Sequence, residues 1–200
     1  NSQSYMHFLQ TDVIVVCSSS QYLLDAICKA GGSQFKTSFD TESNKSIIAI
    51  KSSGQIASKM VYFLPCKPTS DTSLLQQSLR KFVSDAVEKA VQEHYQSIAF
   101  PAIGCGQLGY SITVVAQALI EEAKNKSKIH GISVVFVIQS NKKDVFNEFE
   151  KQLNGTQQSA PAKTISIAVN KGTIMVEKGD ITSQNVCAQF FLIDSYFNVL

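Results

Sequence analysis

Short apolar runs alternate along this chain with segments whose apolar residues recur at helical spacing. The apolar runs predict strands at residues 12–17, 46–50, 60–64, 97–100 and 132–138. Runs such as DVIVVC (12–17) are nearly all apolar and β-branched, which is typical of strands buried on both faces. The amphipathic segments predict helices at residues 21–30, 71–94, 111–124 and 144–153, the first of which stops at Gly31-Gly32. Strands alternating with helices predict an α/β domain with a largely parallel sheet covered on both faces.

The pattern changes after residue 153. Residues 154–162 (NGTQQSAPA) have the composition of a linker, and two short strand-like runs follow at 164–169 and 173–177. The last segment, 185–200, is apolar and aromatic without a clear period. We therefore predict a domain over residues 1–153, a linker over 154–162 and a carboxy-terminal β extension with an apolar tail over 163–200.

Length, composition and charge exclude several classes of protein. The 200 residues are 44% hydrophobic and 17% charged, which excludes collagen-like and fully disordered chains. The balance of 18 basic and 16 acidic residues, with Arg80 the only arginine, makes nucleic acid an unlikely partner. The basic run 124–128 is typical of a solvated helix end. No apolar run reaches the roughly 18 residues of a membrane span, so we expect no membrane partner.

The cysteines indicate the compartment. They are odd in number and scattered, at Cys17, Cys28, Cys66, Cys105 and Cys187. No Cys-x-x-Cys pair is present and no histidine lies at ligand spacing, so we expect neither a disulfide framework nor a metal site. The sequence predicts an intracellular protein, cytoplasmic or nuclear, without a cofactor.

One segment carries clear chemistry, the glycine-rich loop between the strand at 97–100 and the helix that begins near Ser111. Gly104, Gly106 and Gly109 lack a Cβ atom, so the chain can turn tightly and backbone N–H groups can converge. The helix adds its unsatisfied N–H groups and the positive end of its dipole. The segment predicts a binding site for a phosphate or diphosphate, with a purely structural turn as the alternative.

An ordinary Rossmann dinucleotide site is the first rival for this loop. That fold holds the ribose with an acidic residue at the end of the next strand. Here the next strand ends at Gln139-Ser140, and two strands and a long helix precede the loop. We therefore reject the Rossmann interpretation.

The loop sequence SIAFPAIGCGQLGY (97–110) resembles the second phosphate loop of the macrodomain family, which binds ADP-ribose. Residues 12–153 are similar to that family in element order. The segments YFLP (62–65) and SLRKF (78–82) look most like the tandem macrodomains of certain ADP-ribosyltransferases. The resemblance implies a three-layer α/β/α fold with a mixed sheet, and a cleft in which the loop wraps the diphosphate.

The resemblance also implies a set of ligand-binding residues. In the loop these are Ile103, Gly104, Cys105, Gly106, Gln107, Leu108, Gly109 and Tyr110. Tyr110 would lie against the distal ribose, with a plain packing role as the alternative. Ser140 and Asn141 would lie beside the adenine, although a polar turn would have the same sequence.

The segment after the first strand departs from the family pattern. In hydrolytic members this strand is followed by an asparagine-rich segment and a glycine-rich loop. This chain has VCSSSQYLL at residues 16–24, with no asparagine pair and no glycine run. Hydrolysis needs a positioned water and a group that activates it, and serine is a poor base. The departure predicts a degenerate first loop and binding without efficient hydrolysis, with no catalytic residue assigned.

The amino end departs as well. The family fold normally begins with two strands and a Gly-Asp-Ile-Thr turn whose aspartate holds the adenine, and this chain starts after that point. The same motif occurs at residues 179–182, after the two strand-like runs. We favour the interpretation that residues 163–200 begin a second macrodomain. The alternative is that these strands complete the first domain and bring Asp180 to the adenine.

Together these features predict a binding module for ADP-ribose or ADP-ribosylated proteins. One alternative is an enzyme that removes ADP-ribose from proteins. The other is an interaction domain without a ligand, whose cleft has decayed. The sequence leaves the oligomeric state open.

Overall fold

The fold is built from one mixed β-sheet and the helices that cover its two faces. The computed structural model describes residues 11–42, 45–105, 109–139, 141–155 and 164–179. The strands are β1 (Val13–Cys17), β2 (Ile48–Lys51), β3 (Met60–Leu64), β4 (Ser97–Pro101), β5 (Ser133–Gln139), β6 (Thr164–Val169) and β7 (Gly172–Gly179). The helices are α1 (Gln21–Glu42), α2 (Thr72–Gln92), α3 (Ile112–His130) and α4 (Lys143–Asn154). None of the helices in this described part is long and apolar enough to cross a bilayer.

The sheet has the strand order β2-β3-β1-β4-β5-β7-β6. The central strands β3, β1, β4, β5 and β7 are mutually parallel, and the edge strands β2 and β6 are antiparallel to their neighbours. All five residues of β1 are buried, as the apolar run predicted. Because the central strands are parallel, their carboxyl ends meet at one side of the sheet, which we call the carboxyl edge.

Alternate residues of β1 point into two separate cores. Val13 and Val15 contact the layer formed by α2, α3 and α4, whereas Ile14 and Val16 contact α1. Successive side chains of a strand face opposite sides of a sheet, so a run of apolar residues serves both cores at once. The three-layer α/β/α fold predicted from the sequence is confirmed.

Helix α1 is longer than predicted because its glycine pair interrupts the helix without ending it. The chain leaves helical geometry at Gly32 (φ 83°, ψ −178°) and then resumes a helix to Glu42. The loop between β2 and β3 closes the break. Ser53 Oγ donates to the carbonyl of Gly31 at 2.7 Å, and the Gln55 amide donates to the carbonyl of Ala30 at 3.0 Å. The carbonyl groups that the interruption leaves without a helical partner thus accept hydrogen bonds from the β2–β3 loop.

The carboxy-terminal strands lie in the same sheet as the rest of the chain. Strand β7 pairs in parallel with β5, from Val134↔Ile174 to Gln139↔Gly179, and β6 pairs antiparallel with β7. The favoured interpretation had these strands beginning a second domain, whereas the structure has the alternative arrangement for Thr164–Gly179. The apolar tail lies outside the described residues. The linker and the domain boundaries stay predictions, although α4 extends to Asn154.

The turn between β6 and β7 fits closely against the end of α3. Asn170 Nδ2 donates to the carbonyl of Lys128 at 3.1 Å. A Cβ atom on Gly172 would stand 2.5 Å from the carbonyl oxygen of Ile132 and closer still to Ser127 Oγ. The hairpin therefore reaches its place in the sheet only because Gly172 has no side chain.

The amino ends of β1 and β4 are joined through Asp12. Its carboxylate accepts hydrogen bonds from the amides of Gln96 at 2.8 Å and Ser97 at 3.1 Å, and it pairs with Lys59 Nζ at 2.6 Å. Burial alone would raise the pKa of this carboxyl group, but the bonds from Lys59 and Gln96 outweigh burial and lower it. Asp12 lies opposite the carboxyl edge, so its role is structural.

We expect Gly172→Ala to destabilise the fold by about 1–3 kcal/mol, because the added methyl group forces the hairpin away from α3. Urea unfolding measures the change, and Ser166→Ala, at an exposed position of β6, is the matched control. If Gly172→Ala unfolds at the same urea concentration as the wild type, the hairpin does not dock on α3.

The stability that Asp12 contributes should depend on pH. Because the pKa of Asp12 is below its ordinary value of 3.8 in the folded state, this stability is present above that value and is lost as the pH falls through the folded-state pKa. We expect Asp12→Asn to cost about 1–2 kcal/mol at pH 7 and much less near pH 3. Lys59→Met, which keeps the two backbone donors, should show a smaller loss. A cost for Asp12→Asn that is equal at pH 7 and pH 3 contradicts this role.

Candidate functional site

The topology opens a crevice at the carboxyl edge, beside the end of β1. The chain leaves β1 toward α1 on one face, and it leaves β4 toward α3 on the opposite face. Adjacent strands whose connections diverge in this way leave a gap between their loops, and ligands of open α/β sheets bind in such gaps. We call the space between residues 18–20 on one side and residues 101–105 and 109–111 on the other the crevice.

The glycine loop follows β4 directly and turns twice within its described part. Gly104 has φ +84° and Gly109 has φ +63°, both in the left-handed region that favours glycine. The amide of Ile103 donates to the carbonyl of Pro101 at 2.8 Å, and the amide of Cys105 donates to the carbonyl of Ala102 at 3.3 Å. These two amides, which were expected to face a ligand, are therefore committed to the turn. An anion in the crevice has to use other donors.

The amino-terminal turn of α3 supplies such donors. Its N-cap residue, Ser111, makes no side-chain capping hydrogen bond, and the first turn holds no acidic residue. The first amides of a helix have no partner within the helix, and they carry the positive end of its dipole. At the start of α2, in contrast, Asp71 Oδ1 accepts from the amide of Leu74 at 2.9 Å. Helix α3 thus meets the crevice with an uncapped amino terminus.

Tyr110 is fixed between two loops. Its ring lies 3.3 Å from the point where a Cβ atom of Gly104 would stand, and its hydroxyl accepts from the amide of Thr69 at 2.9 Å. Tyr110 thus has the packing role that sequence analysis gave as one alternative, and its contact with a ribose stays a prediction. Sequence analysis did not identify the loop at residues 65–71 as part of the site. Thr69 and Tyr110 are 41 residues apart in the sequence, and no local pattern indicates that they are in contact.

The sulfur of Cys105 is not activated in this loop. Burial, followed by the negative charge of Asp144, raises the pKa of this thiol to about 12. The thiol is therefore protonated at neutral pH, and a thiolate nucleophile is not available there.

The segment between β1 and α1 uses its serines to hold neighbouring loops. Ser19 Oγ accepts from the amide of Cys66 at 3.1 Å, and Ser20 Oγ accepts from the amide of Leu23 at 3.4 Å. The amide of Ser18 donates to the carbonyl of Leu64 at 2.9 Å. These hydrogen bonds hold one wall of the crevice in place, so the serines of this segment have a structural role.

The other predicted ligand contacts fall partly outside the described part of the chain. Gly106, Gln107, Leu108, Ser140 and Asp180 lie outside the described residues. Asn141 is exposed in the turn before α4, next to the end of β5. The structure therefore brings together Gly104, Gly109, Tyr110 and the start of α3, and the adenine contacts stay predictions.

Comparison with known proteins agrees with this fold. The macro domain of ganglioside induced differentiation associated protein 2 is similar with a TM-score of 0.63 at 13% identity, over 74% of this chain and 80% of that one. The Oceanobacillus iheyensis macrodomain with MES bound gives 0.60 at 20% identity, over 72% and 84%. The Trypanosoma brucei macrodomain in complex with ADP-ribose gives 0.51 at 17% identity, over 71% and 63%.

These likenesses are at low identity and establish the fold. No curated protein sequence matches the chain. Residues 20–119, which are 100 of the 200, match the sequence profile of the Macro domain family. That segment runs from the start of α1 through the glycine loop into α3, and the chain belongs to the Macro domain family.

Proposed function

We propose that this chain binds ADP-ribose, free or attached to a protein, and does not hydrolyse it efficiently. The observation that carries this proposal is the uncapped amino terminus of α3 at the end of a loop that turns at Gly104 and Gly109. A diphosphate is the part of ADP-ribose that such a helix end binds best, because backbone amides and the helix dipole both favour negative charge.

The fold supports the same ligand. ADP-ribose is bound in the Trypanosoma brucei macrodomain of similar fold, and ADPR accompanies one Oceanobacillus iheyensis variant at a TM-score of 0.60. In this chain the diphosphate would lie at the start of α3, with Tyr110 against the distal ribose. Gly104 and Tyr110 are adjacent, so the loop holds the ring beside the proposed diphosphate position.

The segment between β1 and α1 (residues 18–20), which we call the serine segment, supports binding without turnover. A hydrolase needs a side chain that takes a proton from the attacking water. Ser19 and Ser20 already accept backbone hydrogen bonds, and a serine hydroxyl is a poor base at neutral pH. We propose that this first loop is degenerate, and that the chain is a reader related to the tandem macrodomains of ADP-ribosyltransferases, acting in the cytoplasm or nucleus.

One observation favours a second candidate, an interaction domain without a ligand. The amides of Ile103 and Cys105 are bonded within the loop, which leaves fewer donors for a diphosphate than the sequence indicated. This candidate predicts that ADP-ribose gives neither binding heat nor a thermal shift.

Ser111→Asp tests the diphosphate position, because its carboxylate would cap α3 and repel an anion. We expect the variant to gain about 0.5–1 kcal/mol in stability. We expect it to bind ADP-ribose at least about tenfold more weakly, a loss of about 1.4 kcal/mol in binding free energy. Isothermal titration and thermal unfolding measure the two effects. Ser111→Asn, a neutral cap of the same shape, separates charge from capping and should weaken binding less.

Two results would decide against this assignment. Equal affinity of wild type and Ser111→Asp for ADP-ribose would remove the diphosphate from α3. Absence of binding by the wild type at millimolar ADP-ribose would favour the interaction domain.

Single-turnover incubation tests the absence of hydrolysis. With the chain in excess over a mono-ADP-ribosylated protein, we expect the modification to stay attached at the uncatalysed rate, because the serine segment offers no base. Mass spectrometry of the substrate protein measures the release. Faster release by the wild type that disappears in Ser111→Asp would establish a hydrolase. Release that also occurs with a mock purification lacking the chain indicates a contaminating enzyme.

A further inference from the structure

A second concave surface lies beside the crevice, between α2 and the β2 edge of the sheet. It is a groove of about 880 Å³, a volume within the range of binding sites, and Ile47, Leu64 and Phe82 contribute its apolar lining. Helix α2 packs on β3 and β4, and α1 packs on β2 from the opposite face. The groove therefore lies between the flank of α2 and the neighbouring edge of the sheet.

The rim of the groove has an excess of positive charge. Four lysines line it, against the two carboxylates of Asp85 and Glu88: they are Lys45, Lys67, Lys81 and Lys89. Within the described residues, Lys45 pairs with Glu42, Lys81 with Asp85 and Lys89 with Glu93. Glu88 pairs with Lys126. Lys67 forms no ion pair with any residue that the structure describes, and it is exposed. It is the cation of this rim that is free to meet an acidic ligand.

The mouth of the groove opens at the carboxyl edge. Strand β2 runs antiparallel to β3 with Ile48 opposite Phe63, so residues 45–47 lie beside the segment that leaves β3. The loop at residues 65–71 is a wall shared with the crevice. On the crevice side its Thr69 amide donates to the Tyr110 hydroxyl, and its Cys66 amide donates to Ser19 Oγ.

We propose that the groove receives the polypeptide that carries ADP-ribose, with an acidic side chain of that polypeptide paired to Lys67. An apolar side chain of the same segment would lie on Ile47, which is half-buried, whereas Leu64 and Phe82 are buried beneath the groove at 3% exposure each. This inference rests on the proposed function, because the ribose beside Tyr110 places the attached polypeptide at the shared wall. The positive rim with an apolar floor selects an acidic, partly apolar segment over a basic one.

The experiment compares free ADP-ribose with two ADP-ribosylated peptides, one with glutamates flanking the modified residue and one with lysines. We expect the acidic conjugate to bind wild type about fivefold more tightly than free ADP-ribose, as an exposed ion pair allows. Lys67→Glu should weaken binding of the acidic conjugate more than binding of free ADP-ribose, so that the ratio of the two affinities falls to about one. Lys51→Glu, an exposed lysine at the far end of β2, is the matched control and should keep the gain. The gain should shrink as salt increases.

The outcomes separate this inference from the proposed function. Failure of the wild type to bind free ADP-ribose overturns the proposed function. In that case the unmodified acidic peptide tests the groove alone, and we expect Lys67→Glu to bind this peptide more weakly than the wild type does. Equal affinity for free ADP-ribose and both conjugates overturns the groove proposal. If a two-unit ADP-ribose oligomer binds more tightly than free ADP-ribose and loses that gain in Lys67→Glu, while the acidic conjugate shows no gain, the polypeptide is overturned as occupant and the groove is assigned to the polymer.

Discussion

Burial of β1 on both faces is the constraint on which the rest of the structure depends. The chain leaves β1 toward β3 on one side and leaves β4 toward β5 on the other, and because parallel crossovers are right-handed the two connections lie on opposite faces of the sheet. That divergence separates the loop after β1 from the loop after β4 and creates the crevice. The same apolar run that makes the core therefore fixes where a ligand can bind.

The proposed site uses backbone groups more than side chains. Turning at Gly104 and Gly109 brings the chain into α3 with the first amides of the helix unpaired by a capping side chain. The internal bonds of Ile103 and Cys105 reduce the number of donors, but they also hold the turn in one shape. A rigid loop loses little conformational entropy when a ligand binds, so fewer donors in fixed positions can still bind an anion. The bond from the Thr69 amide to the Tyr110 hydroxyl joins Tyr110 to the loop at residues 65–71.

Local features of the sequence were sufficient to predict much of this molecule. The β-branched runs predicted the strands, and the glycines between a strand and a helix predicted a loop that turns sharply, as the chain does at Gly104 and Gly109. Non-local features could not be predicted in this way. Gly31-Gly32 is a common helix stop, yet the chain resumes a helix because the β2–β3 loop supplies Ser53 and Gln55 to the broken turn. The bonds of Tyr110 and Ser19 to the loop at residues 65–71 join distant positions, which no local pattern indicates.

The place of β6 and β7 follows from pairing and not from chain order. The composition of residues 154–162 indicated a linker before these strands. The presence of a linker does not indicate which edge of a sheet the following strands join. Ile165 and Ile167 of β6 pack in the same core as Ile174 and Val176 of β7, so the hairpin brings an apolar face to the edge beside β5. A sheet edge accepts any segment that reaches it with matching apolar alternation, whether that segment begins or ends the chain. Strand β7 is parallel to β5, and Gly179 lies opposite Gln139. The carboxyl end of β7 therefore lies at the carboxyl edge, at the same end of the sheet as the crevice.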